Sequence, residues 1–166
     1  MSTENNFNWD AAAFFERLTA SNKHAQESGY RFERVSSLEG FHDAVSKMYS
    51  TKAYVAVSDD SQGVMSLDNS PHTRRIKTVF LAMRHAENDM PARARCLENM
   101  RELFRQFMSM LILEKTRLEE NCIFIDERIS FNEIDRYFFT GCACAYFQIS
   151  IDTYTNLVYN PDEWLN

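Results

Sequence analysis

The sequence predicts an α+β fold, a mainly antiparallel β-sheet packed by one long amphipathic helix at about residues 90–119, with shorter helices near the N-terminus. Two observations carry that prediction. Leu97, Met100, Leu103, Phe104, Phe107 and Leu111 recur every three or four residues, the spacing that gathers side chains on one helix face, and Leu118 extends the stripe. On either side of this segment, residues 76–83 and 137–151 alternate with the two-residue period of strands. The length of 166 residues suits a single α+β domain over 1–166, since linkers, internal repeats and low-complexity stretches are absent.

The first helix is expected to start at Asn8 as N-cap, with Asp10 in its first turn and Phe14, Phe15 and Leu18 as its apolar stripe. It fades through the polar residues 21–29. Ser36-Ser37-Leu38-Glu39 matches the Ser-x-x-Glu capping box, and Leu38, Phe41, Val45 and Met48 then recur at helical spacing, which predicts a second, short helix. Tyr54-Val55-Ala56-Val57 reads as a strand, Asp59-Asp60-Ser61-Gln62-Gly63 as a turn, and residues 64–67 as the returning strand of a hairpin-like pair. After a loop containing Pro71, the strand at 76–83 places Ile76, Thr78, Phe80 and Ala82 on one face and Lys77, Val79, Leu81 and Met83 on the other. Both faces become apolar towards its end, as in an inner strand covered on each side.

Asn88 or Asp89 is suited to cap the long helix, and Pro91 sits where its missing N–H costs nothing. Arg101 and Arg105 share a face, and Lys115 and Glu119 form an i,i+4 pair. At 1.5 Å per residue the helix is about 40 Å long, enough to lie across a whole sheet. Residues 122–129 alternate again, and 131–135 read as a turn. The strand at 137–151 carries Phe139, Gly141, Ala143, Ala145, Phe147, Ile149 and Ile151 on one face, and Cys142, Cys144, Tyr146, Gln148 and Ser150 on the other. Small residues in the middle of the first face leave room for a close-packed helix, and Gly141 suits a bulge. Asn160-Pro161 makes the last turn, with Trp164 expected to anchor the tail.

With 45% hydrophobic and 25% charged residues, the composition is that of a globular protein, and the 13 phenylalanines are read as core. Eighteen basic against 24 acidic residues give a net charge of −6, which disfavours a general nucleic-acid binder, whose affinity rests on neutralising phosphates. Residues 1–8 are polar and unlike a signal peptide, and the aliphatic run Met110-Leu111-Ile112-Leu113 is far too short for a membrane span. Cys96, Cys122, Cys142 and Cys144 are read as reduced thiols, and the expected compartment is the cytoplasm.

The motifs that carry chemistry are not met. Gly29, Gly40, Gly63 and Gly141 are too scattered for a phosphate-cradling loop, and there is no nucleophile elbow. The acidic run at 59–63 resembles the start of a calcium loop, but Ser70 stands where the closing glutamate belongs. Cys142 and Cys144 point to one side of a strand with α-carbons about 7 Å apart. Zinc sites space paired cysteines across a turn, so this pair is read as small buried hydrophobes. His85 with Glu87, Asp126-Glu127 and Glu133-Asp135 are acid–base candidates by residue type, read as solvated loop groups because no partner or cleft is evident. His24, His42 and His72 are read as surface residues, and Met100, Met108 and Met110 as core filler. The chain is accordingly expected not to be an enzyme: no catalytic, cofactor-binding or metal-binding residue is assigned, no cofactor is called for, and no small-molecule substrate is evident.

One charge asymmetry stands apart. From Pro71 to Arg105 there are eight basic residues (Arg74, Arg75, Lys77, Arg84, Arg93, Arg95, Arg101, Arg105) and four acidic ones (Glu87, Asp89, Glu98, Glu102), a net +4 that leaves −10 for the rest. Local pairs such as Glu98–Arg101 and Glu102–Arg105 cancel part of this. The remainder suits complementary charged faces of a head-to-tail assembly.

The order of helix, hairpin-like strands, long helix and two further strands resembles the tail-completion or tail-terminator proteins of long-tailed phages. The features that carry the resemblance are the strand at 76–83, the long helix after it and the strand at 137–151. The ending Thr155-Asn156-Leu157-Val158-Tyr159-Asn160-Pro161-Asp162-Glu163-Trp164 is similar to tails of phage-derived proteins. It covers most of the chain by element order and size, and the helix near residues 38–48 departs from it. The resemblance implies a non-enzymatic structural subunit of a phage or prophage virion: a homo-oligomeric ring that caps the tail tube and meets other virion proteins, with no nucleic-acid or membrane partner. It carries over no individual residue. Two other classes fit the same architecture: a small cytosolic binding or adaptor module, and an α+β enzyme or ligand-binding domain with a cavity between sheet and long helix.

Overall fold

Short polar residues set the helix starts. The computed structural model describes residues 9–47, 51–68, 70–136 and 139–165. Helix α1 (Ala11–Ser21) begins where the Asp10 carboxylate turns back to accept from the Ala13 N–H at 2.9 Å. The cap is therefore Asp10; Asn8 lies outside the described residues. Residues 21–29 are not a polar fade-out. They form α2 (Lys23–Ser28), capped by Asn22, which accepts from the Ala25 N–H at 2.7 Å, and ended by Gly29 at φ 78°. Only Ala25 of this helix is buried, so there is no apolar stripe for periodicity to register.

Strand β1 (Tyr30–Val35), also absent from the sequence reading, buries only its two end residues. Helix α3 (Ser37–Ser46) follows Ser36, but the capping box does not form: Ser36 Oγ donates instead to Asp59 Oδ1 at 2.8 Å. Phe41 and Val45 are buried as expected, Leu38 is exposed, and Met48 lies outside the described residues.

Among the described residues one seven-stranded sheet is completed by β2 (Ala53–Ser58), β3 (Gln62–Ser66), β4 (His72–Arg84), β5 (Ile123–Ile125), β6 (Phe131–Glu133) and β7 (Cys142–Tyr154). Its order is β1-β2-β4-β7-β5, antiparallel throughout except for the parallel pair β1–β2. The expected hairpin of residues 54–57 and 64–67 is not one. Both β2 and β3 pair with β4, β2 along residues 79–83 and β3 along 72–76. β4 is longer than β2, and β3 satisfies the backbone groups that β2 leaves over. β5 and β6 divide β7 in the same way, so 131–133 is a strand where a turn was expected.

The two long strands pair in register from His72↔Tyr154 to Arg84↔Cys142. Their faces are the predicted ones. Val79, Leu81 and Met83 with Ala143, Ala145, Phe147 and Ile149 belong to one core; Phe80 and Ala82 with Cys142 and Cys144 belong to the other. Phe139 is a correction, because it packs in the second core. Gly141 at φ 68° turns the chain just before β7 and breaks the alternation there. Tyr137 lies outside the described residues.

Helix α4 (Met90–Glu119) has the predicted bounds, with Asp89 accepting from the Ala92 N–H at 2.9 Å. Leu97, Met100, Leu103, Phe107, Leu111 and Leu118 are buried against the first sheet face, with Phe104 partly so. Phe15 of α1 meets Phe107 and Phe147 at 5.5 and 5.7 Å between ring centres, which places these phenylalanines in the core as expected, whereas Phe124 is exposed. α3 covers part of the second face, where Phe41 stacks on Phe80 at 4.6 Å. Beyond β7 the chain runs extended to a 3-10 turn (Pro161–Glu163) capped by Asn160. Trp164 does not anchor it: the residue is 65% exposed, and among the described residues its ring stacks only on Tyr159. No helix among the described residues is long and apolar enough to cross a membrane.

Candidate functional site

At the end of the sheet away from α3, Val64, Arg74, Asp152 and Phe124 are successive register partners across β3, β4, β7 and β5. Register partners point to the same face, so the four side chains form one row about 14 Å wide at the usual strand spacing. The middle of the row is polar. Arg74 Nε and Nη2 donate to Asp152 Oδ1 and Oδ2 at 2.9 and 2.7 Å, which holds the Asp152 carboxyl below its usual range. The ends are apolar and open: Val64 is 68% exposed and Phe124 52%. Met65 and Leu67 are also exposed along and just beyond β3, Met65 towards the other face, and Ile112 and Leu113 are exposed on α4, which packs on the face opposite Phe124.

A groove of about 410 Å³ runs between α4 and the segment after β5, walled by Phe104, Met108, Ile112, Ile125 and Ile129. Asp126 and Glu127 lie on its rim. Glu127 accepts from Lys115 Nζ at 2.9 Å, and Asp126 Oδ1 accepts from the Arg128 N–H at 3.0 Å, so both are engaged in local structure. On the opposite sheet face, the part that α3 leaves uncovered is a groove of about 540 Å³ floored by Ile76, Thr78, Tyr146 and Gln148. There Gln148 Nε2 donates to Thr78 Oγ1 at 3.2 Å.

The remaining candidates are dispersed. His85 donates from Nδ1 to the Ala86 carbonyl at 2.8 Å, and its Nε2 is buried with no partner among the described residues. Glu133 accepts from Arg101 Nε at 2.7 Å. His24 donates to the Asn99 carbonyl at 3.1 Å and His72 to the Ser70 carbonyl at 3.0 Å, while His42 lies 5.3 Å from the Phe139 ring. Met100 is buried, but Met110 faces outward, so only part of the methionine expectation holds.

Cys142 and Cys144 are both buried, with Sγ atoms 3.8 Å apart. The Cys144 S–H donates to Cys142, holding the Cys142 thiol below its usual range, while burial pushes Cys144 up. Cys122 is not their neighbour: it is exposed beside β5, at the opposite end of β7. All four cysteines are free thiols.

Much of the basic segment is neutralised within the fold. Besides Arg74, Arg101 pairs with Glu98 and Glu133, Arg105 with Glu102, and Arg93 donates to the Ile134 carbonyl at 2.9 Å. Lys115 holds Glu119 at 3.1 Å as expected. Among the described residues Arg75 and Arg95 are exposed and form no ion pair, and burial beside Arg75 lowers the Lys77 pKa. What sequence reasoning missed is the row from Val64 to Phe124. Alternation finds short strands at both places, but only the pairing through β4 and β7 puts them on opposite margins of one sheet. No protein-family model matches the chain, and no curated protein matches it.

Proposed function

We propose that the chain is a non-enzymatic structural subunit that assembles head to tail with copies of itself, as a ring-forming component of a phage or prophage tail. The observation that supports this reading is the exposure of two different apolar margins on opposite sides of the same sheet end. One is formed at the β3 edge by Val64, with Met65 and Leu67 exposed beside it, the other at the β5 edge by Phe124. A two-fold dimer needs a single self-complementary patch, whereas a ring needs two unlike surfaces that fit each other. Val64 and Phe124 stand at the two ends of one row of register partners, so the two apolar edges are unlike and separated by the polar Arg74–Asp152 pair. The carboxylates Asp126, Glu127 and Glu133, in contrast, are held in pairs and turns that support the fold.

Light scattering on the concentrated protein tests the reading, with Val64→Asp and Phe124→Asp as variants. Each variant alone is expected to remain monomeric while the parent chain assembles. Mixed together, the two variants retain one intact margin each and should form dimers that grow no further. A parent chain that stays monomeric at high concentration, or a mixture that never pairs, rejects the proposal.

A further inference from the structure

The spacing of Cys142 and Cys144 along the sequence is that of neighbours on one face of a strand, and β7 brings their sulphurs to 3.8 Å. We propose that these two thiols form a site for a soft, thiophilic cation, entered from the cavity beside the Arg84–Cys142 end of the sheet. The site is independent of the assembly reading above.

The separation fits such an ion. Two thiolates on a tetrahedral ion of zinc's size, at about 2.3 Å, stand about 3.8 Å apart, and a larger soft ion needs only a slight widening of the 3.8 Å pair. Access exists on one side: a cavity of about 290 Å³ is lined by His42, Ser46, Arg84, Phe139, Gly141 and Cys142. Cys144 lies behind Cys142, buried in the core formed with Phe41 and Phe80.

On binding, each thiol releases its proton to solvent as its sulphur forms a bond to the metal, and no electron is transferred. Two thiolates then balance a divalent cation, so no net charge is left in the apolar layer. Among the described residues no group of three or more His, Cys, Asp or Glu side chains is placed to hold a metal. A closed structural zinc centre is therefore not the arrangement; a pair of sulphurs reached through Cys142, the one that lines the cavity, selects a soft ion. Cys96 approaches from the other face of the sheet, where its Sγ meets the Arg84 carbonyl at 3.7 Å, and Cys122 lies at the far end of β7.

The test uses Cd2+ as probe on the reduced full-length protein, followed by the sulphur-to-metal charge-transfer absorption and by calorimetry. One ion per chain and release of up to two protons are expected. Cys142→Ser and Cys144→Ser should each lose the binding; Cys96→Ser and Cys122→Ser should keep it. Because serine in a buried layer can disturb the fold, the parent protein is also labelled with methyl methanethiosulfonate and mapped. Cd2+ should protect Cys142 and leave Cys122 reactive. The proposal is overturned by absence of uptake, by uptake that follows Cys122, or by a Cys142 whose labelling is absent or indifferent to Cd2+.

Discussion

Arg74 grips Asp152 with two parallel hydrogen bonds at 2.9 and 2.7 Å, joining β4 and β7 near the His72–Tyr154 end of their pairing, on the side of the sheet that carries Val64 and Phe124. The sequence offers Arg74 as a free charge in a basic segment; the fold makes it half of an internal pair. That leaves its neighbour Arg75, exposed and on the opposite face of the strand, as the better probe of charge between copies.

Arg75→Glu is expected to fold with unchanged thermal stability and to lower the assembled mass. The double variant Arg74→Glu, Arg75→Glu should also fold, but with an added loss of about 1 kcal/mol from setting a carboxylate against Asp152. Denaturant melts and light scattering separate the two effects. An assembled mass that neither variant alters would mean charge plays no part in registering the copies.

Glu114 predicts a pH dependence. Its carboxylate accepts from Arg117 and from the Trp9 indole N–H at 3.1 Å, and these bonds, Arg117 first, hold its pKa below the usual range. A carboxylate depressed in the folded state contributes its full stability above the unfolded pKa of about 4.3, and loses it as pH falls through the lower folded value. Glu114→Gln keeps an acceptor for Trp9 and loses the charge. It should therefore be less stable by about 1 kcal/mol at neutral pH, with the gap to the parent closing on acidification. Parallel melting curves across that pH range would refute the assignment.

Leu103 is fully buried midway along α4. Leu103→Asp is expected to abolish cooperative folding, since an unpaired carboxylate there costs more than about 5 kcal/mol, comparable with the whole stability of many domains. A soluble, sharply melting variant would contradict the packing of α4 on the sheet.

Phe41 is the residue that fastens α3, stacking on Phe80 and meeting Phe139 edge-on at 5.5 Å. Phe41→Ala should cost about 3–5 kcal/mol. Hydrogen exchange should rise first in α3, while amides of α4 stay protected. Uniform acceleration across both helices would show that the two cores open together.

The long helix was legible residue by residue because its signal is local. One apolar stripe of thirty residues, a capping aspartate and a proline in the first turn all act within a few positions of one another. The two faces of β4 and β7 were legible for the same reason: alternation is a property of neighbours, and both strands are inner ones covered on both sides near Phe80 and Phe147. Signals failed where a distant group outcompeted the local one. Ser36 reads as an N-cap, yet its hydroxyl is taken by Asp59. β1 and α2 bury too few residues to leave a period. Trp164 reads as an anchor, and among the described residues its ring finds only Tyr159.

What the sequence by itself determined, then, is the class of fold, the extent of α4 and the two faces of β4 and β7. Pairing was decided only in three dimensions. The preference of residues 64–66 for β4 over β2, the alignment of Val64 with Phe124 across two intervening strands, and the neutralisation of Arg74 by a residue 78 positions away are all contacts between distant segments. Their free energy depends on the closing of the whole sheet, whereas periodicity and capping depend on the chain a turn or two to either side.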